Sequence, residues 1–526
     1  MKRRDFLQNT IPAAVLPSLV GNYSFRVLGD NPVMAALLNT YVETDRVLVI
    51  IQLNGGNDGL NMVIPLDQYS NYYNARSNIA IAQNKVLTLS GTNAVGLHPS
   101  MTGLQTLYNN GKLRLVQAVG YPNPNFSHFR ATDIWMSAAD SDEQLTSGWG
   151  GRYLNDQYPN YPVGYPNTTV PDPLGIQIGS SASLAFQGPS VNMGISISSA
   201  TNFYNLINGI QDPVPATRAG DALQYVRLVA QQANQYSTRI SAAAAAVPTQ
   251  GTYPTSNTLA DQLKIVARLI KGGLKTRVYM VSMGGFDTHS AQTNTDTSTG
   301  NHATLMQRLS DTVKAFQDDL QGMGIEDRVL GMTFSEFGRR IKSNASTGTD
   351  HGAAAPMFVF GTKVNPGVSG VNPTIPTTAT VNDNIPMQFD FRSVYSSILQ
   401  NWFCVDNTTL ETIMLQNFQQ LGICASGNCS STTDVNDIRN AGIKLISNYP
   451  NPFTTSTTIS FTTKGGHTLV QIMDSLGRVI QTPVDRTYAA GKYQVTFEGY
   501  ALPAGVYYMR FQNGMTQQVK PMLKVR

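Results

Sequence analysis

Residues 46–53 read RVLVIIQL, and residues 54–59 directly after them read NGGNDG. The first run is rich in β-branched residues and apolar at successive positions, so the strand that it predicts is buried on both faces. Such strands occur in parallel sheets that are covered by helices on both sides. Three further runs have the same character, namely LRLVQAV at 113–119, RVYMVSM at 277–283 and RVLGMTF at 328–334.

A helix is predicted between the last two of these strands. Its apolar residues recur at the 3.6-residue period of one helix face, and glycines at 322 and 324 end it. These apolar residues are Leu305, Leu309, Val313, Phe316 and Leu320. A strand, a helix and a strand of this length form a βαβ unit with a right-handed crossover. The predicted fold class is therefore α/β, with a doubly wound, mostly parallel sheet.

Polar segments follow each of the four predicted strands, at the edge where open parallel sheets bind ligands. The segments are NGGNDG at 54–59, NPNFSHFR at 123–130, GGFDTH at 284–289 and SEFGRR at 335–340, with GTDHG at 348–352 soon after. Three of the six histidines, His128, His289 and His351, lie in these segments beside a carboxylate or a serine. Imidazole with carboxylate suits zinc or manganese, and more oxygen ligands suit magnesium or calcium. We therefore expect one or two divalent metal ions at this edge.

Ser127 follows a turn-forming Pro-Asn-Pro-Asn segment and precedes a predicted helix. A serine in this position is commonly a helix N-cap. The same position also places its hydroxyl where backbone N–H groups and the helix dipole stabilise an anion, as a nucleophile that attacks phosphorus or sulfur requires. Both interpretations stay open. Arg130, Arg339 and Arg340 are likewise open between bidentate binding of anionic oxygens and structural ion pairs.

The composition excludes several classes of protein. The chain has 526 residues, 13% of them charged, and a net charge of +4. A chain of this length is expected to hold more than one folding unit, because single cores rarely exceed ~250–300 residues. The basic residues are scattered, so no nucleic-acid partner is expected. No apolar run reaches the ~18 residues of a transmembrane helix.

The N-terminal residues predict export. Residues 2–7 read KRRDFL and precede an apolar stretch, 11–20, that is too short to span a bilayer. The paired arginines before Phe-Leu resemble a twin-arginine export signal, which we assign to residues 1–30, with an ordinary Sec signal or a frayed basic terminus as the alternatives.

The remaining segments yield coarser expectations. Residues 155–260 are expected to form surface loops and one helix around Gln224–Ile240. Residues 406–445 are expected to form a linker rich in serine, threonine and asparagine. From residue 446 onwards polar and apolar residues alternate, which predicts a small antiparallel β-sandwich over 446–526.

Three cysteines allow at most one disulfide. Cys424 and Cys429 flank a polar loop and are the expected pair, whereas Cys404 lies in an apolar run and is expected to be a buried thiol. Outside the strand-end segments, His98 is expected to be structural, and His302 and His467 are expected to be exposed.

The order of the motifs resembles the bacterial DUF1501 family, a branch of the alkaline-phosphatase and sulfatase superfamily. The resemblance runs from about residue 47 to 402, and we assign this domain to residues 45–405. The matching stretches are NGGNDGLNMVIPL, LHPSM, SHFRATD, GGFDTHSAQ, MTFSEFGRR, GTDHGAAAPMFVFG and DFRSVYSSIL. The resemblance implies an alkaline-phosphatase-like fold and a metal-dependent hydrolase of phosphate or sulfate esters.

The resemblance also assigns roles to residues. It implies a nucleophile at Ser127, and we add His128, Arg130 and Arg339 as candidate catalytic residues beside it. The metal ligands that it implies are Asp58 (with Asn54 as an alternative), Asp287, His289, Glu336, Asp350 and His351. Where many relatives have Ser-Asp-His-Gly, this chain has Ser-Glu-Phe-Gly at 335–338. Phenylalanine cannot bind a metal, so a two-metal site would be reduced to one ion or rebuilt with Asp350.

The last residues resemble the type A C-terminal sorting domain of the type IX secretion system. The motifs are YPNPF at 449–453, DSLGR at 474–478, LPAGVY at 502–507 and a basic end at 524–526. The resemblance implies that residues 446–526 bind the type IX machinery, and that the protein passes the periplasm to the cell surface or the extracellular space. The partner of the large domain is expected to be an anionic ester substrate or glycan. The alternative is a non-catalytic surface protein that keeps the fold and binds an anionic glycan or a protein.

Overall fold

The computed structural model describes residues 45–179, 183–198, 235–424, 429, 445–449, 453–474, 478–513 and 516–525. The chain divides into a large unit, Tyr41–Cys429, and a unit that contains Ser430–Arg526. The predicted export signal at 1–30 lies outside the described residues, as does most of the predicted helix around Gln224–Ile240; of that region, residues 235–245 are helical.

A nine-stranded sheet forms the centre of the large unit. Its strands are β1 (Val47–Leu53), β5 (Leu113–Gly120), β6 (Gly175–Ile178), β7 (Gly194–Ile197), β8 (Val278–Met283), β9 (Val329–Phe334), β10 (Ala355–Phe360), β11 (Gly367–Ser369) and β12 (Phe389–Asp390). Their order is β11-β5-β10-β9-β1-β8-β6-β7, with β12 also paired to β5. β1 pairs in parallel with both β8 and β9. The four predicted strands are thus confirmed within one residue at each end.

The sheet is doubly wound, with an apolar core on each of its two faces. The side chains of β1 alternate between these two cores. Val49 and Ile51 belong to the core on one face, and Leu48 and Ile50 belong to the core on the other. All seven residues of β1 are buried. Burial on both faces is the physical reason for the unbroken apolar run from which this strand was predicted.

One strand of this sheet is antiparallel. β10 lies between β5 and β9 and runs against both. The segment that precedes β10 therefore starts at the same edge of the sheet at which β1, β8 and β9 end. This strand was not predicted, although its sequence, APMFVF, is fully buried.

Besides the helical residues 235–245, nine helices of the described residues cover and flank the sheet. They are α1 (Gly59–Met62), α2 (Tyr69–Ala75), α3 (Thr102–Asn109), α4 (His128–Ser137), α5 (Trp149–Gln157), α6 (Thr258–Lys271), α7 (Asn301–Gly322), α8 (Phe391–Asn401) and α9 (Asn407–Met414). Short 3₁₀ helices occupy Leu66–Gln68, Gln83–Lys85, Leu184–Phe186 and Glu326–Arg328. The helix predicted between β8 and β9 is α7, and all five of its predicted apolar residues are buried. A small second sheet has the order β2-β4-β3, from Val63–Pro65, Thr92–Leu97 and Leu87–Leu89.

Two segments are more ordered than expected. The prediction of surface loops over 155–260 was wrong at β6 and β7, which extend the central sheet at one edge. Residues 407–414, in the predicted linker, form α9. Its Leu410, Ile413 and Met414 are buried in a core of the large unit.

The predicted disulfide was wrong. Cys404 pairs with Cys429 across a Cα–Cα distance of 5.2 Å. Cys424 is a buried free thiol, held in an isolated backbone bridge with Val364. Burial raises the pKa of the Cys424 thiol to about 12. Proximity along the chain favoured the pair 424–429, but Cys424 lies within the apolar core.

The exposure predicted for His302 was also wrong. His302, the second residue of α7, is buried, with Nε2 3.3 Å from Oδ1 of Asn57. His98 is buried beside it, with ring centroids 6.0 Å apart.

The second unit is a small antiparallel β domain, as predicted. Its strands are β13 (Leu445–Tyr449), β14 (Ser456–Met473), β15 (Val479–Glu498), β16 (Gly505–Asn513) and β17 (Thr516–Lys524). β14 pairs with β13, β15 and β16, and β17 pairs with β16, all antiparallel. The alternating residues Ile459 and Phe461, and Tyr507, Met509 and Phe511, form its apolar core. Among the described helices of the whole chain, none is long and apolar enough to cross a membrane.

Candidate metal centre

Four polar loops meet at the carboxyl edge of the central sheet. One follows β1, one follows β5 and leads into α4, one follows β8, and one connects β9 to the antiparallel β10. The last loop starts and ends at this edge, so it contributes both Glu336, just after β9, and His351, shortly before β10.

Asp287, at the end of β8, lies at the centre of these loops. Its Oδ1 accepts a hydrogen bond of 2.6 Å from Nη2 of Arg339. The same oxygen lies 3.2 Å from Nε2 of His289 and 3.2 Å from Nε2 of His351. Its Oδ2 lies 3.6 Å from Nε2 of His128. Three imidazoles therefore direct the same ring atom towards one carboxylate.

The second nitrogen of each imidazole is held by an oxygen. Nδ1 of His128 lies 2.9 Å from Oε1 of Glu336. Nδ1 of His289 lies 3.2 Å from Oδ1 of Asp350, and Nδ1 of His351 lies 2.9 Å from the carbonyl oxygen of Phe126. A carbonyl only accepts, so Nδ1 of His351 donates, and the carboxylates favour the same tautomer in the other two rings. Each neutral ring then presents the lone pair of Nε2 to the centre.

This donor set fits a metal ion. Histidines that bind metals usually donate their second ring N–H to a carboxylate or a carbonyl, which orients the ring. Ligand atoms of His128, Asp287 and His351 all lie within 4.8 Å of one another. Tetrahedral ligands at ~2.0–2.1 Å from zinc are ~3.3 Å apart, close to the 3.2 Å and 3.6 Å separations around Asp287. The nitrogen-rich set suits zinc or another transition metal better than calcium or magnesium.

Glu336 and Phe337 contact two of the histidines, His128 and His351. Glu336 is buried, and besides His128 it accepts a hydrogen bond of 2.8 Å from the backbone N–H of Gly55. The ring of Phe337 packs at centroid distances of 4.9 Å from His128 and 4.5 Å from His351. Glu336, predicted as a metal ligand, contacts the ring of His128 and the backbone of Gly55 in this structure.

Arg339 is fully buried and joins three of the loops. It donates to the carbonyl oxygens of Gly56 (2.6 Å), Thr349 (2.8 Å) and Phe286 (3.1 Å), and also to that of Gly55. Together with its bond to Asp287, these contacts engage Nε, Nη1 and Nη2. Arg339 holds the loops together through these bonds, in line with the structural alternative that the sequence left open beside anion binding.

Two other predicted site residues do not join the cluster. Nη2 of Arg130 donates to the carbonyl oxygens of Asp140, Ser141 and Glu143. Asp58 is buried and forms an ion pair with Arg76, with oxygen–nitrogen distances of 2.7 and 2.8 Å. Burial raises the pKa of the Asp58 carboxyl, but the charge and hydrogen bonds of Arg76, the charge of His302 and the hydrogen bond from Gln292 together lower the net pKa.

Two carboxyl groups of the centre, those of Asp287 and Asp350, favour their charged forms. Burial opposes ionisation of Asp287, but the hydrogen bond and the positive charge of Arg339 contribute to a net lowering of its pKa. A hydrogen bond from Asn344 is the main cause that lowers the pKa of Asp350. Partial burial lowers the pKa of His351, which favours the neutral ring that a metal requires.

Ser127 is exposed at the start of α4 and precedes His128 in the chain. It occupies the N-cap position, but its side chain makes no capping hydrogen bond. The first backbone N–H groups of a helix lack partners within the helix, so the hydroxyl lies beside donors suited to an anion.

Gly55 explains the double glycine after β1. It has a φ of +124°, and a Cβ at this position would lie 2.3 Å from the backbone nitrogen of Asp287. The loop after β1 therefore contacts the loop after β8 at a distance that excludes a side chain.

Sequence reasoning missed several residues that support the centre. Arg76 and Asn344 lie outside the strand-end motifs. Gln292 lies in a matching stretch but was not named as a site residue. The carbonyl of Phe126 carries no sequence signal at all. Gln292 is the last residue of the stretch GGFDTHSAQ, and its place in that motif is the one sequence feature that could have indicated its role.

Several solved structures are similar to this chain at low sequence identity. Similar solved structures include a Bacteroides thetaiotaomicron protein studied for the metabolism of multiple glycosaminoglycans, with 8% identity, a TM-score of 0.34, and coverage of 90% of this chain and 88% of the other. A protein of the alkaline phosphatase superfamily from Vibrio parahaemolyticus has 10% identity, a TM-score of 0.31, and coverage of 93% and 84%. A sulfatase from Pseudoalteromonas sp. has 10% identity, a TM-score of 0.30, and coverage of 94% and 88%. No curated protein sequence matches the chain.

Two family models match the sequence. Residues 447–524 match the secretion system C-terminal sorting domain. Residues 45–406, more than half of the chain, match the family described as a protein of unknown function, DUF1501. The chain therefore belongs to the DUF1501 family and carries a secretion sorting domain at its C-terminal end.

Proposed function

We propose that this protein is an exported, metal-dependent hydrolase of phosphate or sulfate esters. The observation that carries the proposal is the convergence of three imidazole Nε2 atoms on the carboxylate of Asp287, with each Nδ1 held by an oxygen. We assign one ion to His128, Asp287 and His351, with His289 beside them. Asp58 is engaged by Arg76, which favours one ion over two.

Ser127 is the proposed nucleophile. Its hydroxyl is exposed and not engaged in capping, and the residue that follows it, His128, contributes to the centre. A bound divalent ion would supply a Lewis acid for the ester oxygens and would lower the pKa of a nearby hydroxyl. The N-terminal N–H groups of α4 would stabilise charge that develops on the oxygens of the ester.

The covalent step is an attack of Ser127 Oγ on phosphorus or sulfur. The bond from that atom to the alcohol oxygen breaks, the serine proton is lost to solvent, and the alcohol leaves with a proton taken from solvent. Water then releases inorganic phosphate or sulfate from the serine, which restores the hydroxyl.

The sorting domain at 447–524 directs the protein to the cell surface or the extracellular space. We propose the type IX machinery as its partner and residues 1–30 as a twin-arginine signal. A hydrolase in this location would act on esters outside the cell, and anionic glycans are one class of substrate that carries them.

Metal analysis of the purified protein and a panel of phosphate and sulfate esters test the proposal. We expect about one ion per chain in the wild type, and ester turnover that Ser127→Ala abolishes while metal content is retained. Ser90→Ala is the matched control, because Ser90 is exposed in the turn between β3 and β4, away from the centre. Absence of bound metal, or unchanged turnover in Ser127→Ala, would contradict the proposal.

The second candidate is a surface protein that binds an anionic glycan without turning it over. Phe337 favours it, because a phenylalanine ring, which cannot bind a metal, packs against His128 and His351. Binding on a glycan array that survives His289→Ala and His351→Ala, with no turnover of any ester, would support this candidate. Turnover of an ester would exclude it.

A further inference from the structure

Gln292 is a fully buried residue that follows the motif Asp287-Thr288-His289. Its Nε2 donates a hydrogen bond of 2.6 Å to Oδ2 of Asp58. Its Oε1 accepts hydrogen bonds from Oγ1 of Thr288 at 2.9 Å and from Oγ1 of Thr349 at 3.0 Å. One amide group thus contacts three of the predicted site motifs.

The two threonines lie next to the proposed ligands. Thr288 separates Asp287 from His289, and Thr349 precedes Asp350 and His351. The backbone N–H of Thr349 donates to the carbonyl of Thr288 at 3.1 Å. A shift of either loop would therefore break a side-chain contact with Gln292 and a backbone contact between the loops.

The orientation of the amide follows from its partners. The carboxylate of Asp58 only accepts, so the NH₂ group must face it. The carbonyl oxygen then faces the two hydroxyls, and both donate to it. Asp58 is itself held by Arg76, so the amide is anchored at its far end to a buried ion pair.

The backbone of Gln292 adds to the same connection. Its N–H donates to the carbonyl of Thr347 at 2.9 Å, and its carbonyl accepts from the N–H of His302 at 3.0 Å. Gly348 lies so close to the loop after β8 that a Cβ on Gly348 would be 2.4 Å from the carbonyl carbon of His289. The two loops pack backbone against backbone, with the Gln292 side chain beneath them.

We propose that Gln292 is a positioning residue that keeps the loop carrying Asp287 and His289 in register with the loop carrying Asp350 and His351. The role in ion binding rests on the metal centre of the proposed function. The register of the loops is a property of the chain and can be measured without an ion. Gln292 itself does not bind the ion and lies behind the ligands, on the side of Asp58.

The alternative is that Gln292 only satisfies buried polar groups and contributes to global stability. The two roles differ in where the effect of a substitution appears. A stabilising role changes the unfolding midpoint alone, whereas a positioning role changes the protection and the ion affinity of the two loops in the folded protein.

The test is Gln292→Met in the full chain, which keeps the length of the side chain and removes its hydrogen bonds. Gln117→Met is the matched control, because Gln117 is buried in β5 and its amide bonds one side chain, Asn372, at 2.9 Å. Amide hydrogen exchange of residues 284–293 and 344–352 is measured without metal. Affinity for Co²⁺ is measured from the visible absorption of the bound ion, which also reports its coordination geometry.

For Gln292→Met we expect faster exchange in both loops and Co²⁺ binding weaker by about 10–100-fold, the usual effect of losing a residue that orients ligands. Gln117→Met should change neither. Thr288→Val and Thr349→Val should each show part of the effect, and each should add little to Gln292→Met, because the three residues share one network.

The outcomes separate this inference from the proposed function. Faster exchange in Gln292→Met, with no Co²⁺ binding by the wild type, would retain the positioning role and remove the metal centre. Normal exchange and normal Co²⁺ affinity in Gln292→Met would overturn the positioning role and leave the metal centre intact. If Gln292→Met does not fold, the two threonine variants decide, and unchanged exchange and affinity in both would overturn the inference.

Discussion

The Nε2 atoms of His289 and His351 lie 2.9 Å apart. In both rings Nδ1 is directed to an oxygen, a carboxylate in one case and a carbonyl in the other. Two neutral rings of that tautomer would place two lone pairs against each other, which is unfavourable unless a proton or a cation lies between them. Asp287 adds a negative charge at 3.2 Å from both atoms. The arrangement is thus one that a cation stabilises.

Asp287→Asn should weaken binding of zinc or cobalt more than 100-fold, judged from the ~10–100-fold effect of losing a residue outside the ligand set. The amide is neutral, so the ion loses an anionic ligand, and the hydrogen bond from Arg339 is no longer strengthened by two opposite charges. Isothermal titration with Zn²⁺ measures the affinity. Asp296→Asn is the control, because Asp296 forms an exposed ion pair with Lys85. Equal affinity in Asp287→Asn and wild type would show that the ion binds elsewhere.

Glu336→Gln should weaken metal binding by about 10–100-fold without removing a ligand. The buried carboxylate accepts from both His128 and the N–H of Gly55, and an amide that turns its NH₂ group to the ring would favour the wrong tautomer. The Co²⁺ spectrum should change together with the affinity. Glu326→Gln is the control, because Glu326 pairs with Lys112 near the start of β9. A spectrum identical to that of the wild type would refute an orienting role for Glu336.

The stability of the large unit should fall as the pH drops below about 6.5. Burial lowers the pKa of His98 to about 3 and that of His302 to about 4, and the nearby charges are those of Asp58, Arg76 and Arg339. In the unfolded chain both histidines take up protons near pH 6.5, whereas the folded protein resists, so their contribution is complete above 6.5 and is lost on the way to pH 4. Each imidazole contributes a slope of up to about 1.4 kcal/mol per pH unit.

Urea unfolding across pH 4.5–7.5 measures this slope. His98→Asn keeps an acceptor for the N–H of Ser100 and removes a titrating group, so it should flatten the profile. His467→Asn, at an exposed histidine of the C-terminal unit, should leave the profile unchanged. A slope that is the same in all three proteins would exclude His98 as a source of the pH dependence.

Loss of the Cys404–Cys429 disulfide should lower the stability of the large unit by about 3 kcal/mol, because the bridge closes a loop of 25 residues in the unfolded chain. Cys429→Ala and reduction of the wild type should have similar effects on urea unfolding, and reduction should not affect Cys429→Ala further. Cys424→Ser should remain sensitive to reduction. If Cys424→Ser were insensitive instead, Cys424 would be part of the bridge.

The strands were predictable where burial alone determines the sequence. β1, β8 and β9 lie inside the sheet and read as unbroken apolar runs for that reason. β10 is as deeply buried but contains a proline and begins next to the polar loop that ends at residue 352, so its signal merged with the loop. β6 and β7 have four residues each, too few for a period to emerge.

For the candidate site, the sequence predicted which loops meet but not what each side chain contacts. Strand direction brings Asp287, His289, Glu336 and His351 to one edge, and this can be inferred from topology. The ion pair of Asp58 with Arg76 depends on the path of α2, which carries no motif. The support of His351 by the carbonyl of Phe126 depends on backbone conformation, which residue types do not encode.

The close approach of Gly55 to Asp287 has a consequence for the order of folding. The two residues follow strands that are far apart in the chain, and the remaining loops of the centre come from β5 and from the connection between β9 and β10. Contacts between such distant segments form late, because long loops must close first. An ion with affinity for this centre would bind only the finished large unit and would stabilise it by mass action. The rate of metal uptake during refolding would then report the rate at which the large unit completes its fold.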